Sequence, residues 1–129
     1  MPKRQLAGRR VLIVEDEYYL ASDARELLTG LGAEVLGPVA TVEAAREAIN
    51  TELAIDSVLL DINLRGQMAF DVADTLTARG IPFAFVTGYD RTALPERFTG
   101  ATSIGKPVRP EQLAALVGSL TGGGPRPTA

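Results

Sequence analysis

The sequence predicts an α/β domain built on a doubly wound, five-stranded parallel sheet, and three observations predict it. Short apolar runs alternate with segments of helical period along the whole chain, the pattern of βαβ units. The clearest runs lack polar alternation, as strands buried on both faces of a parallel sheet do. A length of 129 residues with 46% hydrophobic content fits one domain with its own core.

The elements follow in order. Residues 11–14 read Val-Leu-Ile-Val and stop at Glu15-Asp16-Glu17, a central strand meeting a polar loop. Leu20, Ala24, Leu27, Leu28 and Leu31 then form one helical stripe that Gly30 and Gly32 terminate. Residues 33–39 are the second strand, and Glu34 places it at an edge. Thr41 is the N-cap of a helix that buries Val42, Ala45 and Ile49. Residues 57–60 form the third strand, ending at Asp61. Ala69, Val72, Ala73 and Leu76 give a helix closed by Gly80. Residues 83–86 are the fourth strand, ending at Thr87-Gly88. From Tyr89 to Gly100 the period is weak and Pro95 intervenes, so any helix there is short or mobile. Residues 101–105 are the fifth strand, before Lys106-Pro107. Leu113, Leu116, Val117 and Leu120 mark a last helix with Pro110 in its first turn. The expected organisation is a flexible basic leader over 1–8, one domain over 9–120 and a disordered Gly- and Pro-rich tail over 121–129.

Composition excludes whole chemistries. With neither Cys nor His there is no disulfide, thiolate nucleophile, imidazole base or His- or Cys-bearing zinc or haem site. Net charge is −3, but four of the thirteen basic residues, Lys3, Arg4, Arg9 and Arg10, fall in the first ten positions. Without them nine basic residues face sixteen acidic ones, a net −7, which argues against nucleic acid or an anionic membrane surface as partner. No apolar run approaches the roughly 20 residues of a membrane span and no signal core follows the leader, so a cytoplasmic location is expected.

Polar groups stand at the carboxyl ends of four of these strands: Glu15 and Asp16, Asp61, Thr87, and Lys106. In an open parallel sheet that edge is where ligands bind, and crossovers of one hand bring all four together. Three carboxylates suit a hard cation such as Mg²⁺, while Lys and Thr suit phosphoryl oxygens and an Asp beside the metal can be a nucleophile. Taken singly, each is ordinary: an acidic loop is usually solvated and a lone Lys is usually surface charge. Residues 100–107 miss a phosphate-binding loop, because Pro107 stands where Ser or Thr is required. A dehalogenase-like phosphatase would carry a second Asp where this chain has Asn63.

In that order Val-Glu15-Asp16-Glu, Asp61, Thr87-Gly88 and Lys106-Pro107 resemble the receiver domain of two-component response regulators over nearly the whole chain. The resemblance implies strand order 2-1-3-4-5 and a phosphoacceptor Asp61 that takes a phosphoryl group from a sensor histidine kinase. It implies Mg²⁺ held by Asp16, Asp61 and the Asn63 backbone carbonyl, with Glu15 acting chiefly through water. Thr87 and Lys106 would engage phosphate oxygens, Gly88 would leave them room, and Lys106-Pro107 would be cis. Such a domain is not a separate enzyme, although it assists its own phosphorylation and dephosphorylation.

Two departures qualify this. Ser103 replaces the usual aromatic switch residue, and Arg65 replaces a common Pro. Residues 85–89, Phe-Val-Thr-Gly-Tyr, resemble instead the Phe-Ala-Thr-Gly-Tyr signature of a receiver subgroup found with HWE-type histidine kinases, which makes Tyr89 the candidate switch. The expectation is a single-domain, phosphorylation-dependent protein-binding switch acting on a downstream protein. A phosphate sink or shuttle, a phosphorylation-independent docking module and a homodimer stay open as alternatives.

Overall fold

The computed structural model describes residues 5–52, 54–88 and 94–122. The chain runs β1 (Arg10–Val14), α1 (Tyr18–Gly30), β2 (Glu34–Val39), α2 (Val42–Thr51), β3 (Ser57–Asp61), β4 (Asn63–Leu64), β5 (Gln67–Met68), α3 (Phe70–Arg79), β6 (Phe83–Thr87), a 3-10 turn (Glu96–Phe98), β7 (Ser103–Gly105) and α4 (Pro110–Leu120). Five strands form one parallel sheet in the order β2-β1-β3-β6-β7, the predicted 2-1-3-4-5 order once the small β4–β5 pair is set aside. Glu34 lies on the edge strand, as expected.

Strand alternation divides the core between two faces. Leu12, Val14, Val58, Leu60 and Phe85 point to one side, where α2 and α3 bring Val42, Ala45, Ile49, Val72 and Leu76. Val11, Ile13 and Leu59 point to the other, against Leu28, Leu113 and Val117 of α1 and α4. Because both faces are covered, no residue of β3 is exposed, which is why its sequence lacks alternation. All four Phe side chains interlock on the α3 side. Phe85 meets Phe70, Phe83 and Phe98 edge-on, with centroids 5.3–6.3 Å apart.

Local signals act where expected. The Thr41 hydroxyl accepts from Ala44 N at 3.1 Å, and Gly80 closes α3 at φ 68°. Gly37 (φ 83°) occupies the irregularity in the β1–β2 ladder, where an added Cβ would lie 2.8 Å from Val39 N and 2.9 Å from Ile13 O. Gly37-Pro38 and Lys106-Pro107 are both cis.

Two features differ from expectation. The leader is not free over its described part: Leu6 is fully buried in the α1–α4 cluster and its amide donates to Leu31 O at 2.9 Å, since one apolar side chain fills the space below the α1 terminus. The β4–β5 hairpin is unforeseen, because two-residue strands are too short to carry a period. Within the described part of 89–100 only the 3-10 turn forms. It is tied to α3 by the Arg97–Asp74 pair, with Arg97 Nε 2.9 Å from Asp74 Oδ1. Among the described residues no helix is long and apolar enough to cross a membrane.

Candidate functional site

The carboxyl ends of β1, β3, β6 and β7 bring the expected residues together. β1 runs straight into Glu15, and the Glu15 amide donates to Val39 O at 2.9 Å, so the first acid is held by the neighbouring strand β2. Asp61 is the last residue of β3 and pairs in register with Val86, one residue before Thr87. Thr87 in turn pairs with Gly105, and its carbonyl accepts from Lys106 N at 2.8 Å. Glu15, Asp61 and Thr87 are buried and Asp16 is half-buried.

Lys106 crosses the top of the sheet to both buried acids. Its Nζ lies 3.0 Å from Glu15 Oε1 and 3.1 Å from Asp61 Oδ2. Glu15, Asp16 and Asp61 each present an oxygen, all within 4.8 Å of one another. One ammonium does not neutralise three carboxylates. Burial, then the hydrogen bond and charge of Asp61, push Glu15 up to about 7, against the opposing pull of Lys106 and the Glu17 amide. Burial would lower the Lys106 pKa, but its bonds to Glu15 and Asp61 outweigh that and raise it. The result is an oxygen-only donor set with excess negative charge, the chemistry of a hard divalent cation site.

The β4–β5 hairpin, absent from the sequence reading, is part of the same site. Asn63 N donates to Asp61 Oδ1 at 3.2 Å and Arg65 N donates to Asp16 Oδ2 at 2.9 Å. The signal that could have found it is Asn63-Leu-Arg-Gly66: the Asn63 Oδ1 accepts from Gly66 N at 2.7 Å and closes a two-residue turn. Among the described residues a Cβ at Gly88 would meet only Lys106 Cδ, at 3.9 Å, so their packing does not impose glycine there. Ser103 is half-buried on β7. Tyr89 lies outside the described residues.

Known proteins share this fold. SdrG from Sphingomonas melonis Fr1, solved in solution, is 34% identical, with the match covering 87% of this chain and 95% of that one at a TM-score of 0.76. The receiver domain of the PhyR response regulator from Erythrobacter litoralis is 26% identical over 95% of this chain and 97% of that one, at a TM-score of 0.79. The chain belongs to the response regulator receiver domains. Among full-length regulators, this receiver domain is 34% identical over 120 residues to the phyllosphere-induced regulator PhyR of Methylorubrum extorquens, covering 88% of this chain and 45% of that protein. The transcriptional regulatory protein PdtaR of Mycobacterium tuberculosis is 27% identical over 87% of this chain and 55% of its own length. The chain thus spans about half the length of the curated relatives it matches. No protein-family model matches it.

Proposed function

We propose that this receiver domain is a phosphorylation-dependent protein-binding switch in two-component signalling, with Asp61 as the phosphoacceptor. The observation that carries the reading is the convergence of two buried carboxylates, a third beside them and one ammonium at the carboxyl edge of the sheet. A structural ion pair would need one acid for one base. The surplus acids are explained by a cation and a phosphoryl group that arrive together.

In the proposed step an Asp61 carboxylate oxygen attacks the phosphorus of a phosphohistidine on a partner sensor kinase. A P–O bond forms, the P–N bond breaks and its electron pair returns to the imidazole, leaving an acyl phosphate on Asp61. Asn63 N orients the Asp61 carboxylate, Lys106 supplies positive charge to the incoming oxygens, and the Thr87 hydroxyl donates to one of them. Asp16, Asp61 and the Asn63 carbonyl, with Glu15 chiefly through water, would hold Mg²⁺, whose charge would offset that of the acids. The same residues would assist hydrolysis of the acyl phosphate. The Phe85–Tyr89 signature supports an HWE-type kinase as the donor and Tyr89 as the residue whose packing changes. The output is binding to a downstream protein.

Intact mass after incubation with acetyl phosphate tests this. A single phosphoryl adduct that requires Mg²⁺ and is absent from Asp61→Asn is expected. An adduct that persists in Asp61→Asn, or no adduct from a folded parent with either acetyl phosphate or a phosphorylated kinase, overturns it.

A further inference from the structure

The β4–β5 hairpin places two main-chain amides, two residues apart, on two acids that are 45 residues apart. Asn63 N holds Asp61 and Arg65 N holds Asp16. Asp61 and Glu15 have a second restraint in the Lys106 ammonium. Asp16 is the most exposed of the three, and Lys106 makes no ion pair with it. A half-buried carboxylate without an anchor samples several rotamers, so its oxygens reach a cation only part of the time. The Arg65 amide removes that freedom by fixing Oδ2 at 2.9 Å, which leaves Oδ1 clear of that bond.

The turn is built around this amide. Arg65 has φ 54° and Gly66 φ 86°, so both central residues are left-handed, as a two-residue hairpin turn of this hand requires. Glycine meets that demand at position 66 without strain, whereas arginine at 65 does not. The strained residue is the one whose amide reaches Asp16. Leu64, fully buried beside it, and the Asn63–Gly66 bond hold the turn in place. The Arg65 side chain makes none of these contacts.

We propose that the Arg65 main-chain amide is the positioning group for Asp16, presenting that carboxylate to the cation of the phosphorylation site. The inference rests on the functional reading above. It assigns the role to the backbone, so the side chain is replaceable and the N–H is not.

Two measurements on the full chain test it. In the first, Mg²⁺ affinity is measured by calorimetry for the parent, Arg65→Ala, and a version whose 64–65 amide is replaced by an ester, which removes the N–H and keeps the side chain. Arg65→Ala is expected within about twofold of the parent and the ester about tenfold weaker. Full phosphorylation of the ester by acetyl phosphate should return at saturating Mg²⁺. In the second, amide hydrogen exchange is followed in the parent and in Asp16→Ala. The Arg65 amide should exchange at least tenfold faster in the variant, while the Gly66 amide, bonded to Asn63, stays unchanged and reports an intact hairpin. An ester with parental Mg²⁺ affinity, or an Arg65 amide indifferent to Asp16→Ala, overturns the inference alone. A parent that neither binds Mg²⁺ nor takes up a phosphoryl group overturns the functional reading with it.

Discussion

At the residue scale, the site and a position far from it carry opposite electrostatic situations. Glu15 binds its proton more tightly in the folded chain than in the unfolded one, because burial and Asp61 disfavour its charge. Its folded pKa of about 7 exceeds the ordinary value of 4.5, so protonation favours folding. In chelator, the parent should therefore lose stability relative to Glu15→Gln as pH rises from about 4.5 through about 7. Lys106, also raised, keeps its stabilising effect across that window and loses it only in strongly alkaline solution. Urea midpoints of the two proteins at pH 5 and pH 8 check the sign. At the amino end of β3, Ser57 Oγ is buried with no hydrogen-bond partner among the described residues. Ser57→Ala removes that unmet demand and should raise stability by about 1 kcal/mol, read as a higher urea midpoint at constant slope.

Among the elements, those with period or cap signals were legible and those below the length of a period were not. The Leu20–Leu31 stripe, the Thr41 cap, the Gly80 stop and the abrupt end of β3 at Asp61 each state their structure in a few residues. All five expected site residues at the strand ends converge for the same reason: parallel strands share a direction. The hairpin and its two amides escaped because backbone donors have no side-chain signature, and only the Asn63–Gly66 spacing betrays the turn. Leu6 escaped because a lone apolar residue in a basic leader has no period to join. Two positions with left-handed φ make the distinction quantitative. Gly37→Ala forces a Cβ onto Val39 N and Ile13 O at a left-handed φ, and should cost about 3 kcal/mol or more by chemical denaturation. Arg65→Gly keeps the amide, relieves the left-handed φ and should gain about 0.5–1 kcal/mol.

For the molecule as a whole, the described residues form two half-cores on opposite faces of the sheet, which the strands join, and Leu6 of the leader belongs to one of them. Leu6→Ala should cost about 3 kcal/mol, the usual penalty for a cavity left by a buried leucine, and thermal denaturation reads it directly. The sheet is not equally secure across its width. β7 has three residues and among the described strands pairs only with β6, and the hydrogen bond from the Lys106 amide to Thr87 O is the rung that follows it. Lys106, the single cation of the site among the described residues, thus hangs from the least anchored strand, while the acids sit on the most buried ones. Fraying of that edge withdraws the lysine and leaves the carboxylates in place. The lifetime of the assembled site is then a local-opening rate rather than the global unfolding rate. Whatever grips or loosens the β7 edge gains leverage over the chemistry without touching an acid.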